Sequence, residues 1–450
     1  MKIKAAAAIA VMAAVCLLLS SCDTAGIIRP VSSLLSPPLY YEEYEELVEA
    51  FNKKVNGDVT LCSPGSGNYR SAIVVEDLDS DGETEALIFY KNNIDDTVAR
   101  MHYFNTADGK WISKGDFNGY GNGVESLEIN DMDGDGKSEI LVNWNTSGVS
   151  SGNILSIYRS SKYEDKYKEI SNEICSVSEV IDVDSDGKKE IFFITQSNVS
   201  GVSQRIARVM KLSGDTAMLM GETKVDPNIS SYTSIKTEKA AEDSPLKIYV
   251  DALKGESQMI TEIIYWDSAE SELCAPLLDA ETMSNSLTLR YEPVASADVN
   301  NDGIIDIPVQ SEILGSGDDS STESTENVYI TKWVDFSTSE ESTVVANTLI
   351  NYSDGYMVFL DDNEIGKLGI RNYRAQNCWI LYRTDETGES VGELFSILKI
   401  GTERWEQGSL DAYIPILERE DGVVCVYVTQ SGVELGVTED YIKSRITKLP

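Results

Sequence analysis

The sequence predicts a mainly β protein. Its main body is a β-propeller of about five blades, seven if the C-terminal part adds more, followed by a small C-terminal α+β domain. Three observations predict it. An acidic phrase recurs as EDLDSDGETEALIFY (76–90), NDMDGDGKSEILVNW (130–144), IDVDSDGKKEIFFIT (181–195) and ADVNNDGIIDIPV (297–309). Each phrase runs straight into apolar residues rich in β-branched and aromatic types, the composition of a strand. The first aspartates, at 77, 131, 182 and 298, are separated by 54, 51 and 116 residues. The last step is close to double, so a unit with a decayed loop is expected between; LKIYVDALKGESQMITEIIYW (246–266), with Asp251 and Gly255, fits it. Units of about fifty residues match a four-stranded blade, and the hexa- or nonapeptide period of a β-helix is missing.

The N-terminus has the form of a secretory leader. In MKIKAAAAIAVMAAVCLLLSSC, Lys2 and Lys4 precede an apolar run that ends in small residues before Cys22. Leu19-Ser20-Ser21-Cys22 resembles the bacterial lipobox. That resemblance implies removal of residues 1–21, a lipid on Cys22, and a chain held to the outer face of the cell membrane by its anchor alone. Residues 22–57 are read as a tether with an amphipathic helix over 40–55. Tyr40, Tyr44, Leu47, Val48 and Phe51 recur at three- and four-residue steps, Pro37 and Pro38 mark its start, and Gly57 marks its end. The propeller spans 58–350. In its first unit SAIVVEDL, EALIFYK, VARMHYFN and WISKGDF read as four strands, with TADGK a turn. Residues 351–450 are read as the α+β domain, because the acidic phrase stops there and VTEDYIKSRITKL (437–449) has a helical pattern with Thr438 as its cap.

Composition narrows the function. Lys and Arg number 37 against 75 Asp and Glu, a net charge of −38, which argues against nucleic acid and against an anionic membrane surface. A hydrophobic content of 42% supplies a genuine core. Cys62, Cys175, Cys274, Cys378 and Cys425 are scattered without a CxxC, so zinc or a dense disulfide framework is not expected; a Cys378–Cys425 bridge is left open.

The acidic phrase has the chemistry of a hard-cation loop. Positions one, three and five are Asp77, Asp79 and Asp81; Asp131, Asp133 and Asp135; Asp182, Asp184 and Asp186; Asp298, Asn300 and Asp302. A glycine follows (Gly82, Gly136, Gly187, Gly303), which permits a left-handed turn. Position seven (Glu83, Lys137, Lys188, Ile304) is expected to offer its backbone carbonyl, and position nine (Glu85, Glu139, Glu190, Asp306) a further carboxylate. Such an all-oxygen set suits Ca²⁺ better than Mg²⁺, which keeps more of its water. An EF-hand is excluded, because its twelfth-position glutamate is replaced by Ile88, Val142, Phe193 and Val309 and both flanks read as strands. The pattern D-x-[DN]-x-D-G-x-x-[DE] between strands at blade spacing resembles the FG-GAP/VCBS repeats of integrin-α-type propellers over roughly 58–350. With the lipobox it is similar to VCBS-repeat lipoproteins of Gram-positive gut bacteria. The resemblance implies Ca²⁺ in a loop joining the first two strands of each blade; the phenylalanine-glycine landmarks of that family are missing.

Signals for catalysis are weak, so no enzyme is expected. His102 is the sole histidine and sits in a strand-like run, so it reads as a strand residue. The glycines of GSGNYR (65–70) and GSGDD (315–319) precede no helix, and Trp111, Trp144, Trp266 and Trp333 fall in strands and read as core. The expected function is a calcium-stabilised surface module that binds a protein or a glycan. The alternatives are a carbohydrate-active enzyme and an extracellular sensor subunit.

Overall fold

The computed structural model describes residues 44–450 apart from 56–57, 94, 147–151, 162–165, 200, 292, 313–327, 337–341, 374–375 and 409. The expected leader, the Cys22 lipid site and the tether up to residue 43 lie outside the described residues. Among those described, no helix is long and apolar enough to cross a membrane.

Strands dominate, and the described residues form six antiparallel sheets in chain order. The first contains Ile73–Glu76, Glu85–Asn92, Asp95–Ala107 and Lys110–Asn118, with Val59–Leu61 sharing the edge of Glu85–Asn92. The second is Gly123–Asn130, Glu139–Asn145, Asn153–Ser160 and Tyr167–Cys175; the third is Val177–Ile181, Glu190–Val199, Val202–Ser213 and Thr216–Val225. The fourth is Ile229–Glu238, Lys247–Lys254, Gln258–Asp267 and Glu272–Cys274. Each of these runs up and down with neighbours in sequence paired in space, as short connections dictate. The turns obey local chemistry: Asp108 and Gly109 both take positive φ (51° and 68°), which closes a tight hairpin between the last two strands of the first sheet.

Hydrophobic pattern decides how the sheets meet. The second strands begin EALIFY, EILVNW, EIFFIT and KIYVDA, and all six residues of each are buried. A strand apolar on both faces must be covered on both. One core joins the first and second sheets through Phe89, Met101, Leu127 and Trp144. Leu141, Ile157, Phe193 and Met210 join the second and third, and Phe192, Val209, Ile248 and Trp266 the third and fourth. Tyr249, Ile263 and Ile307 carry the series to the fifth. The outer face of the first sheet is covered by the helix Glu45–Lys54, whose Leu47 and Phe51 pack on Ala86, Ile88, Tyr90 and Phe104. The amphipathic reading therefore holds for the described turns, and the start expected at the prolines lies outside the described residues. It ends at Lys54, where Val55 is extended.

The expected division at 350/351 falls inside a hairpin. The fifth sheet contains Asp306–Glu312, Tyr329–Asp335, Thr343–Asn351 and Tyr356–Leu360, and Asn351 pairs with Tyr356. The sixth contains Leu368–Tyr373, Cys378–Thr384, Ser390–Ile400, Tyr413–Arg419 and Gly422–Val428. One core holds both, from Ile330 and Leu349 to Ile397, Val426 and Ile442. The helix expected over 437–449 is confined to Glu439–Arg445, capped by Thr438 Oγ1, which accepts the Tyr441 N–H at 3.1 Å. Ile446–Lys448 is instead a strand on the edge of the fifth sheet, with Tyr356 opposite Lys448. Edge pairing overrides helical pattern there, since it satisfies a row of otherwise open backbone groups. The Cys378–Cys425 bridge is also excluded. Both pair with Leu398 from opposite sides, so they stand two strands apart, about 9–10 Å, and a disulfide needs Cα atoms within about 7 Å. Both thiols are free.

Candidate metal sites in the acidic loops

Each acidic phrase forms the connection between the first two strands of a sheet, or the approach to one in the fifth, and the four loops share a hydrogen-bond plan. The position-one carboxylate accepts the N–H of the position-six glycine: Gly82 to Asp77 at 3.0 Å, Gly136 to Asp131 at 2.9 Å, Gly187 to Asp182 at 3.0 Å and Gly303 to Asp298 at 2.9 Å. Position five accepts from position seven, as Glu83 N to Asp81 (2.8 Å), Lys137 N to Asp135 (2.9 Å), Lys188 N to Asp186 (2.8 Å) and Ile304 N to Asp302 (2.8 Å). Position nine, the first residue of the buried strand, accepts from position two with one oxygen only. Leu78 N meets Glu85 Oε2 at 2.7 Å, Met132 N meets Glu139 Oε2 at 3.1 Å, Val183 N meets Glu190 Oε2 at 3.0 Å and Val299 N meets Asp306 Oδ2 at 3.1 Å.

The second oxygens are the informative ones. Glu85 Oε1, Glu139 Oε1, Asp133 Oδ1 and Asp306 Oδ1 are buried with no hydrogen-bond partner among the described residues. A buried carboxylate oxygen without a donor is costly unless a cation takes it. In three loops the carboxylates converge: oxygens of Asp77, Asp79 and Glu85, of Asp131, Asp133 and Glu139, and of Asp182, Asp184 and Glu190 lie within 4.8 Å of one another. The fourth loop has Asn300 at position three, where its amide donates to Asp302 Oδ2 at 2.8 Å. This donor set, all oxygen and partly buried, fits a hard cation. Positions one, three and nine form the convergent groups, while Asp81, Asp135, Asp186 and Asp302 stand outside them; position seven is seen contributing its N–H.

Electrostatics agree with a missing positive charge. Burial pushes Glu85, Glu139 and Glu190 up to about 7, opposed by their backbone hydrogen bonds, and at Glu139 also by Arg159, and reinforced by the aspartates beside them. Asp306 rises to about 6 for the same first reason. The second loop also has a resident cation at its rim. Arg159 Nη2 donates to Asp133 Oδ2 at 2.6 Å and Asp135 Oδ2 at 3.0 Å, and its Nε stands 3.7 Å from Glu139 Oε1, so it already offsets part of the charge at this loop.

Sequence reading missed three features. Position four is left-handed as well as position six, with φ of 59° at Ser80, 75° at Gly134, 62° at Ser185 and 60° at Asn301. The signal was the small or amide residue at each of those positions. In the fourth sheet the register place of the position-nine carboxylate belongs to Lys247, opposite Glu238 as Glu85 is opposite Glu76. Its buried Nζ donates to the Phe336 carbonyl at 2.7 Å. Asp251 is no loop remnant, because it lies mid-strand and fully buried. It accepts from Arg290 Nη2 at 2.9 Å, Thr261 Oγ1 at 2.6 Å and Ser234 Oγ at 2.9 Å. Beside it, Asp226 takes Lys254 Nζ at 2.6 Å and Asn285 N at 2.8 Å, tying the 275–296 connection to the sheet.

His102 is buried under the helix on the first sheet, with Phe104 stacked at 4.6 Å and Phe51 edge-on at 5.9 Å. Its Nε2 lies 2.8 Å from Ser113 Oγ, and Asp116 is 3.7 Å from Nδ1, beyond hydrogen-bond reach. Trp144 and Trp333 are fully buried and donate to Ser156 and Thr348 on the neighbouring strand. Trp266 is buried and Trp111 half-buried.

No family model matches the chain, and no curated protein matches it. Among solved structures it is similar to a rhamnogalacturonan lyase of Bacillus licheniformis, at 10% identity and TM-score 0.30 over 74% of this chain and 77% of that one. It is also similar to Sqt1 of Chaetomium thermophilum, at 9% identity and TM-score 0.29 over 83% and 100%.

Proposed function

We propose that the acidic loops are calcium sites that hold the sheets in shape. In this reading the array is a propeller-like scaffold of the FG-GAP/VCBS kind, held to the outer face of the cell membrane through lipid on Cys22. It acts as a binding module for a protein or glycan. The observation that carries the metal reading is the set of buried oxygens without a hydrogen-bond donor among the described residues, on Glu85, Glu139 and Asp306 at position nine and on Asp133 at position three. Calcium supplies the charge that these groups lack, and its six to eight oxygen ligands accommodate carboxylates, loop carbonyls and water together. The protein's part is to hold position nine by one oxygen on the position-two N–H, so that the other stays aimed at the ion.

Calorimetric titration of the chain from residue 23 with CaCl₂, with a melting curve at each point, tests this. Three or four sites and a rise in Tm, reversed by EDTA, are expected; at a free concentration of 100 times Kd each site adds about 2.7 kcal/mol. A Tm indifferent to both calcium and EDTA overturns the metal reading and leaves the strand repeat to stand alone.

A further inference from the structure

The first three loops are joined to one another as well as built alike. Ser138, at position eight of the second loop, donates its N–H to the carbonyl of Leu78 in the first loop at 2.7 Å. Lys189, at position eight of the third loop, donates to the carbonyl of Met132 in the second at 2.9 Å. Leu78 and Met132 are the position-two residues whose N–H groups hold Glu85 and Glu139. A continuous path therefore runs from Glu85 through the Leu78 residue to Ser138, to the adjoining Glu139, through Met132 to Lys189, and to the adjoining Glu190. Lys137 adds a side-chain link, its Nζ 3.9 Å from Asp79 Oδ2.

The backbone path stops after the third loop. A cavity of about 370 Å³ lies between Val183, Asp184 and Ser185 and the 239–245 connection of the fourth sheet, and it is crossed by a side-chain bond, Lys239 Nζ donating to Ser185 Oγ at 3.1 Å. Among the described residues, no backbone hydrogen bond joins that segment to the Val183 carbonyl. In the fourth loop the position-eight N–H, on Ile305, goes to the Glu238 side chain.

Resting on the calcium reading, we propose that the first three loops load their cations as one cooperative unit through these backbone bonds, while the fourth loop loads on its own. Binding at one loop orders its position-two peptide. That peptide fixes the residue directly before the neighbour's position-nine carboxylate. The next ion then meets a site whose ordering is already done, which is positive coupling between sites.

The test is amide hydrogen exchange of the whole chain from residue 23 across a calcium titration, read on peptides covering 77–85, 131–139, 182–190 and 298–306. In the unmodified protein the first three loops are expected to gain protection at one shared midpoint with a slope steeper than one, and the fourth at its own midpoint with a slope of one. Three unrelated midpoints with unit slopes overturn the proposal. The second site is then disabled by Asp131→Asn with Asp133→Asn, which keeps side-chain shape. The midpoints at loops one and three should rise at least about fivefold with loop four unmoved. Asp298→Asn with Asp302→Asn is the converse control and should leave loops one to three unmoved. Loops one and three unaffected by loss of the second site refute the coupling. No calcium-dependent protection at any loop of the unmodified protein instead refutes the calcium reading itself. The unmodified titration decides between cooperative and independent loading even where a variant folds poorly.

Discussion

At the scale of single residues, the buried carboxyls divide into those with an oxygen that lacks a hydrogen-bond donor among the described residues and those with both oxygens held. Glu262 belongs to the second kind. It is fully buried, with Oε1 accepting the Asp226 N–H at 2.8 Å and Oε2 the Asn285 amide at 3.3 Å. Burial pushes its carboxyl up to about 7; the Asp226 charge adds to this, while the backbone bond, Asn285 and Lys254 oppose it. An acid raised in the fold keeps a proton that the unfolded chain releases. Its share of stability is thus intact below the ordinary glutamate range and is lost as pH climbs from about 4.5 to about 7, by roughly 3 kcal/mol. Glu262→Gln abolishes that slope. By urea unfolding the variant should match the parent within about 1 kcal/mol at pH 5 and exceed it at pH 8. A parent-minus-variant difference that does not change with pH would show that Glu262 is ionised in the fold. The acidic ladder of the loops was legible in the sequence because its residue types recur at fixed spacing. The Asp251–Arg290 and Asp226–Lys254 pairs were not, since each joins residues 39 and 28 positions apart with no pattern around either.

At the scale of elements, strands were read well wherever burial on both faces wrote a continuous apolar run. Glu85–Asn92 and Glu190–Val199 are examples. Reading failed where a short segment took its conformation from a neighbour, as Ile446–Lys448 does from Tyr356–Val358. The N-terminal helix shows how an element's role follows from what it covers. Glu45–Lys54 has ten residues, too short to persist alone in water, and its stability comes from seating Leu47 and Phe51 on the first sheet. Phe51 meets the Tyr90 ring edge-on at 5.1 Å and covers His102. Phe51→Ala should cost about 3–5 kcal/mol locally. Hydrogen exchange should speed up across 45–54 and in the strands at 85–92 and 95–107, leaving the fifth and sixth sheets as they were. Unchanged exchange in those two strands would mean that the helix is a separate arm rather than the cover of the sheet.

At the scale of the whole molecule, the repeat gives the succession of sheets, but its end does not mark the end of the architecture. The acidic phrase stops at the fifth sheet. The succession continues into a sixth sheet, where Ser390–Ile400 pairs with Gly422–Val428 rather than with the next strand in sequence, and one core cluster holds residues of both sheets. Ile397 belongs to that shared core, fully buried, in one cluster with Ile330, Leu349 and Val358 of the fifth sheet and Leu381, Val424 and Val426 of the sixth. If 351–450 were an independent domain, shortening Ile397 would weaken only the strands of that domain. With a common core the loss is felt by both sheets together. Ile397→Ala should lower the opening free energy by about 2–5 kcal/mol, and amide exchange at 343–360 and at 390–428 should report the same decrement. The second and third sheets, held by other clusters, should keep their protection. A decrement confined to 390–428 would restore the boundary at 350/351. An equal decrement in both places makes the last two sheets a single cooperative unit, tied at its edge by Ile446–Lys448 and entered through the hairpin at Asn351–Tyr356.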